Sequence, residues 1–159
     1  MEKRNNLSAS ESKIKPPVYY EYIKKPNCGM CSSEILVVNR VFLGCHSTHI
    51  EIGHLACGGF EWGITIQLNS GIFIRPVGTD DRYYLINKAD LPIAPKEPHY
   101  YLDPTEAVLT LVFQGIPKDV AAIDLIENER GGEHHYRIEN IQIRELEPES
   151  VHRKWKSWN

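Results

Sequence analysis

The sequence lacks any apolar run long enough to cross a membrane. Its longest weakly polar stretches, residues 58–60 and 64–74, fall far short of the roughly 20 consecutive apolar residues that a spanning helix needs. It also lacks an excess of positive charge, because 18 Lys and Arg stand against 21 Asp and Glu, for a formal net charge of -3. Binding to a nucleic-acid backbone requires such an excess. We therefore expect neither a nucleic-acid partner nor membrane insertion.

Sequence motifs typical of several enzyme classes are missing as well. The chain has no glycine-rich phosphate loop, no G-x-S-x-G sequence at which a nucleophilic serine would sit, and no H-E-x-x-H zinc-hydrolase sequence. Nearby carboxylates such as Asp124 and Glu127 have no partner spacing typical of glycosidases. We therefore expect a protein without catalytic residues.

Apolar residues rarely recur at helical spacing in this sequence and more often alternate with polar residues. Ile64, Ile66 and Leu68 alternate with small or polar residues, which is typical of a strand with one buried face. Short apolar segments of this kind predict strands over residues 35–42, 50–52, 62–68, 72–77, 82–86, 108–113, 120–126 and 136–143. Asp103-Pro104-Thr105-Glu106 resembles a helix start, but the β-branched run after it favours a strand.

Many short strands separated by turn signals predict an all-β fold, an immunoglobulin-like antiparallel two-sheet sandwich. Tyr136 and Ile138 share one parity, whereas Ile141 and Ile143 share the other, so a β-bulge is expected near Glu139-Asn140. Residues 87–106 carry four prolines, which donate no ladder hydrogen bonds. We interpret this segment as a loop that crosses between the sheets.

Composition divides the chain into four parts. Residues 1–17 are polar and are predicted to form a disordered tail, residues 18–33 a linker with a C-x-x-C motif, residues 34–147 the β-sandwich, and residues 148–159 a C-terminal tail. The start of the chain has no apolar segment typical of a secretory signal. Two explanations stay open, an intracellular protein or a chain whose leader was removed.

Four segments carry a resemblance to a known module: YLINKADLPIAP at 84–95, HYYLDP at 99–104, LTLVFQGIPKDV at 109–120 and IDLIE at 123–127. Together they resemble an uncharacterised immunoglobulin-like β-sandwich module of secreted or periplasmic Bacteroidetes proteins, over roughly residues 35 to 145. The resemblance implies a sandwich that accompanies other domains, in the periplasm or outside the cell. It implies no catalytic residues.

The cysteines allow three interpretations. Cys28 and Cys31 have the spacing of a redox dithiol, but the long helix of a thioredoxin-like fold does not follow them. Cys28, Cys31, Cys45 and Cys57 could instead supply four thiolates to zinc, with His46, His49 and His54 as substitutes, although a second paired knuckle is missing. In the preferred interpretation Cys45 and Cys57 are buried or form a disulfide beside neighbouring strands, Cys28 and Cys31 lie in a mobile linker, and no cofactor is bound.

Aromatic side chains supply the candidate binding residues. Tyr100 and Tyr101 lie in the proline-rich segment, where exposed aromatics are typical of a binding surface. Trp155 and Trp158 lie three residues apart near the C-terminus and would share one helical face, for docking on the domain itself or on a partner. The sequence thus favours a non-enzymatic module that binds a protein or another macromolecule, and the alternative is a zinc-binding or thiol-redox protein.

Overall fold

A computed structural model describes residues 19–33, 36–55, 63–130 and 135–144 of the protein. The two predicted tails, residues 1–17 and 148–159, lie outside these ranges. So do Cys57, Trp155 and Trp158. Among the described residues, no helix has the length and apolar character that a transmembrane span requires.

The described residues form ten strands and two single 3₁₀ turns. The strands are β1 (Tyr19–Lys24), β2 (Leu36–Gly44), β3 (Ser47–His54), β4 (Ile64–Ile66), β5 (Phe73–Pro76), β6 (Tyr83–Tyr84), β7 (His99–Tyr101), β8 (Leu109–Gln114), β9 (Ala122–Ile126) and β10 (Arg137–Gln142). The 3₁₀ turns span Lys88–Asp90 and Pro104–Glu106.

Two four-stranded sheets make up the sandwich. The first has the strand order β1-β2-β3-β8 and the second β10-β9-β5-β6, while β4 and β7 form a small separate sheet. Every strand pair is antiparallel. The predicted all-β antiparallel sandwich is therefore confirmed.

The core lies between the two sheets and contains the inward-facing side chains of both. Phe113 and Leu111 of β8 are fully buried, as are Ile123 and Leu125 of β9. Alternation along the predicted strands 62–68, 108–113 and 120–126 places Ile64, Ile66, Leu109, Leu111, Phe113 and Leu125 on inward faces, and all of these but Ile64 belong to the core. Ile64 is only partly buried against it, because it begins a three-residue strand paired only with β7.

The predicted bulge lies in β10. The pairing of β10 with β9 shifts between Ile138 and Ile141, and Asn140 has a positive φ of 54°. Asn tolerates this left-handed conformation better than most residues. The extra residue switches the strand's parity, so that both Ile138 and Ile141 are buried.

Residues 18–33, which the sequence predicts to be a linker, contribute to the sandwich over their described part. Residues 19–24 form β1, which pairs with β2, because their tyrosines and isoleucine favour a strand. Residues 27–32 then run beside β10, where Gly29 N–H donates to Glu139 O and Gln142 N–H donates to Asn27 O, each at 2.8 Å. This segment therefore connects an edge of the first sheet to an edge of the second.

The opposite side of the sandwich has a similar connection. After β6, Ile86 N–H donates to Val112 O of β8 at 2.7 Å. The side-chain amide of Asn87 then donates to Thr110 O and accepts from Val112 N–H. Since unpaired strand edges invite association with other chains, these contacts protect the edge of β8.

The proline-rich segment 87–106 crosses from the second sheet to the first, as expected, but it is not all loop. It contains β7, which pairs with β4, and both 3₁₀ turns. The helix start expected at Asp103 is a single 3₁₀ turn, where the Asp103 carboxylate accepts from Thr105 N–H at 2.9 Å.

Candidate functional site

Several strand ends meet at one end of the sandwich. His54 ends β3, Tyr101 ends β7, Glu127 follows β9 and Tyr136 precedes β10. The imidazole of His54 reaches the phenol of Tyr136, so the two sheets meet here through side chains. We call this region, defined by these four residues, the His54 end.

His54 is buried and has a partner at each ring nitrogen. Nδ1 lies 2.8 Å from Ala107 O, and Nε2 lies 2.9 Å from the Tyr136 hydroxyl. Because a carbonyl oxygen can only accept, Nδ1 carries a proton. In the neutral imidazole Nε2 therefore accepts, and the Tyr136 hydroxyl donates to it.

Tyr136 lies in an environment that opposes its ionisation. Burial raises the pKa of its phenol strongly, and the negative charge of Glu127 and the proximity of Tyr101 raise it further. The phenol consequently stays protonated and remains a hydrogen-bond donor to His54.

Glu127 is only 4% exposed, which is unusual for a carboxylate. Its two oxygens accept from backbone amides, Oε1 from Asn69 N–H at 2.8 Å and Oε2 from Tyr136 N–H at 2.7 Å. His135 Nδ1 lies 3.9 Å from Oε2. The carboxylate therefore holds the turn after Leu68 and the start of β10 in place, which is a structural use of its charge.

Exposed apolar side chains neighbour this polar centre along the chain. Tyr100 is 61% exposed and Leu102 74% exposed. Leu55, which follows His54, and Val108, which follows the Ala107 carbonyl bonded to His54, are also exposed. We call Leu55, Tyr100, Leu102 and Val108 the apolar rim.

The two tyrosines predicted to bind a partner have different surroundings. Tyr100 belongs to the apolar rim, whereas Tyr101 is half-buried and packs against the core. Adjacent strand residues face opposite sides, which explains the difference. Gly63, with φ +67°, lies beside both: a Cβ there would meet the Tyr101 carbonyl and would lie 2.9 Å from the Tyr100 hydroxyl. The absence of a side chain at Gly63 therefore lets the Tyr100 hydroxyl and the Tyr101 carbonyl approach this backbone position.

The cysteines of the predicted zinc set do not all come together. Cys28 and Cys31 line one cavity of about 180 Å³, but Cys45 lies in the turn after β2. Cys31 Sγ contacts Leu36 O, at the opposite end of that nine-residue strand. At about 3.3 Å per residue, Cys45 is on the order of 25 Å away. Cys57 lies outside the described residues, within which no group of three or more metal-ligating side chains occurs.

Ser47 and His49 form a second polar pair, distant from the His54 end. Ser47 Oγ lies 3.0 Å from His49 Nε2, and burial lowers the pKa of His49. A serine nucleophile with a histidine base also needs a site that excludes water. Both residues lie on the outward face of β3, since Thr48 between them is buried, and this open face does not provide such a site.

Sequence reasoning did not identify His54, Glu127 or Tyr136 as partners, although a signal was present. His54 continues the inward parity of Ile50 and Ile52, and Glu127 continues that of Leu125. A polar residue at an inward position must find a hydrogen-bond partner. This rule indicates buried polar groups at the strand ends but does not say which of them meet.

Comparison with known proteins adds no relative, since no family model, curated protein or solved structure matches the chain.

Proposed function

We propose that this chain is a non-enzymatic, immunoglobulin-like β-sandwich module that binds a protein or another macromolecule through its His54 end. The observation that supports the proposal is the apolar rim, four exposed apolar side chains that neighbour His54, Tyr101 and Ala107 along the chain. Exposed apolar patches of this kind occur at protein interaction sites.

The hydrogen bonds of His54 and Glu127 favour a binding role for the apolar rim. The contacts of His54 with Ala107 and Tyr136, and those of Glu127 with two backbone amides, hold the strands that carry the rim. A surface held in one conformation loses little entropy when a partner docks. Tyr100 is one of the residue types, with Trp and Arg, that are enriched at energetic centres of interfaces.

The polar groups below the rim have structural partners. Both ring nitrogens of His54 and both oxygens of Glu127 are engaged by the protein itself. A general acid or base must instead reach the proton that it transfers. This supports binding over catalysis at the His54 end.

The binding proposal can be tested with paired variants. The double change Tyr100→Ser with Leu102→Ser removes two rim side chains. Tyr22→Ser with Val77→Ser removes two other exposed apolar side chains, which are 49% and 47% exposed. Wild type and both variants are immobilised and exposed to an extract of the native cells, and retained proteins are quantified by mass spectrometry.

A partner of the His54 end is retained by the wild type and by the Tyr22/Val77 variant but lost from the Tyr100/Leu102 variant. Titration of that purified partner should then show an affinity at least about tenfold weaker for the Tyr100/Leu102 variant. Equal retention by both variants would contradict the assignment of the surface.

Zinc binding is the rival proposal, and the observation that supports it is the shared cavity of Cys28 and Cys31. A structural zinc site needs four ligands. Metal analysis of the protein purified without chelators decides between the two: one zinc per chain would favour the rival.

A further inference from the structure

Segment 27–32 bends as it passes β10. The bend lies at Gly29, where the backbone approaches the bulge closely: a Cβ on Gly29 would lie 3.2 Å from both Asn140 Cβ and Glu139 O. Hydrogen bonds flank the bend, from Gly29 N–H to Glu139 O and from Glu139 N–H to Met30 O, each at 2.8 Å. The segment is therefore held against the second sheet on both sides of the bend.

The bend brings the two cysteines to the same side. In an extended strand, residues three apart point to opposite faces. Here both Cys28 and Cys31 line one cavity, which lies between the segment and the start of β2. Each thiol has a backbone acceptor, Pro26 O at 3.5 Å from Cys28 Sγ and Leu36 O at 3.9 Å from Cys31 Sγ.

The remaining walls of the cavity are apolar. They are formed by Pro26, Leu36, Val37, Val38 and Ile138. Burial, together with a smaller contribution from negative charge on Cys31, raises the pKa of the Cys28 thiol to about 11. These surroundings disfavour two thiolates and favour a neutral form of the pair.

We propose that Cys28 and Cys31 form a reversible intramolecular disulfide, a clip that fixes the bend at Gly29 beside β10. A disulfide is neutral, needs no further ligand and is compatible with apolar walls. It would close residues 28–31, which lie beside β10, into a small ring.

The oxidant is a small-molecule or protein disulfide, for example glutathione disulfide. The more exposed Cys28 loses its proton and attacks one sulfur of glutathione disulfide, which forms a mixed disulfide and releases one glutathione thiolate. Cys31 then loses its proton and attacks Cys28 Sγ, which forms the Cys28–Cys31 bond and releases the second glutathione. The pair loses two electrons and two protons, and glutathione disulfide becomes two glutathione molecules.

The Cys28–Cys31 disulfide should form and be reduced slowly. The thiolate is the attacking species, so a raised pKa leaves little of it at neutral pH, and a thiol of high pKa is also a poor leaving group when the bond is reduced. Both properties are typical of a structural disulfide and not of a catalytic dithiol, which has a lowered pKa at its attacking cysteine.

The test follows the thiols of the full chain. The reduced protein is incubated with glutathione disulfide, its remaining thiols are alkylated under denaturing conditions, and its peptides are mapped by mass spectrometry. We expect a bond between Cys28 and Cys31, with Cys45 still open to alkylation. The Cys45→Ser variant should behave in the same way, whereas in Cys28→Ser the remaining Cys31 should form no such bond.

A second measurement reports the clip's effect on the fold. Hydrogen exchange of the Gly29, Glu139 and Gln142 amides, which bond across the segment, should be at least about threefold slower in the oxidised protein. The melting temperature should rise by about 5 °C on oxidation in the wild type and stay unchanged in Cys28→Ser.

Four results would overturn the proposal. They are a bond from Cys28 or Cys31 to Cys45 or Cys57, glutathione adducts on both Cys28 and Cys31 without a bond between them, unchanged amide exchange after the bond has formed, and stoichiometric metal on the pair in the purified protein.

Discussion

His54 and Tyr136 link the two sheets of the sandwich through one hydrogen bond, with His54 Nε2 and the Tyr136 hydroxyl 2.9 Å apart. The two residues lie 82 positions apart in the chain, one at the end of β3 and the other before β10. Because His54 also bonds Ala107 O, the 3₁₀ turn that ends at Glu106 is connected to the same contact.

Removal of the Tyr136 hydroxyl should destabilise the protein. In Tyr136→Phe the buried Nε2 of His54 loses its donor, so the free energy of unfolding should fall by about 1–2 kcal/mol. Urea unfolding at neutral pH measures this. Tyr22→Phe, which removes the hydroxyl of an exposed tyrosine, should change it by less than about 0.5 kcal/mol. Equal effects would show that the His54–Tyr136 contact adds nothing to stability.

Alkaline pH should weaken the fold through Tyr136. Folding raises the pKa of this phenol above its ordinary value of 10.0, so the folded chain keeps a proton that the unfolded chain loses. The free energy of unfolding should therefore fall as pH rises above about 10, by at most about 1.4 kcal/mol per pH unit. Urea unfolding from pH 8 to 11 should show a shallower decline in Tyr136→Phe than in the wild type; a decline of the same slope would refute this assignment.

Glu127 should contribute more to the free energy of unfolding than its exposed neighbour Glu129. In Glu127→Gln only one oxygen remains to accept from Asn69 and Tyr136 amides, so we expect a loss of about 1–3 kcal/mol. Glu129→Gln removes an exposed ion pair with Arg82 and should cost less than about 1 kcal/mol. Denaturant unfolding of both variants compares them, and the opposite ranking would argue against a structural role for Glu127.

Phe113 should be among the most costly core residues to truncate. It is fully buried between the sheets, so Phe113→Ala should lower the free energy of unfolding by about 3–5 kcal/mol. Val108→Ala, at an exposed position before the same strand, should cost about 0.5 kcal/mol or less. Thermal and urea unfolding provide the comparison, and a Phe113→Ala protein as stable as the wild type would contradict the strand parity.

Asn140 provides a test of the bulge. Its φ of 54° suits Gly better than Ala, so Asn140→Ala should be about 1 kcal/mol less stable than Asn140→Gly. Both variants lose the bond from Gln142 Nε2 to the Asn140 side chain, and their difference therefore reports the backbone alone. Urea unfolding of the pair is sufficient, and equal stability would mean that the bulge relaxes in Asn140→Ala.

Local features of this protein were determined by its sequence alone. Alternation of apolar and polar residues predicted most of the strands, since a strand with one buried face needs a period of two. The change of parity between Ile138 and Ile141 predicted the bulge, because an unbroken strand would expose one of them. The prolines predicted the crossing segment, since they cannot donate to a ladder.

Only the tertiary structure decided which of these elements meet. β1 is short and precedes a C-x-x-C motif, so its tyrosines alone did not distinguish a strand from a linker, and its pairing with β2 does. A buried histidine such as His54 requires a hydrogen-bond partner. Its inward position in the strand does not indicate which residue of a distant segment provides that partner. Likewise, C-x-x-C spacing brings Cys28 near Cys31, whereas the distance to Cys45 depends on the extended β2, which lies between Cys31 and Cys45. Contacts between distant segments depend on the order in which strands pack, and that order is set by the fit of the whole core and not by any local pattern.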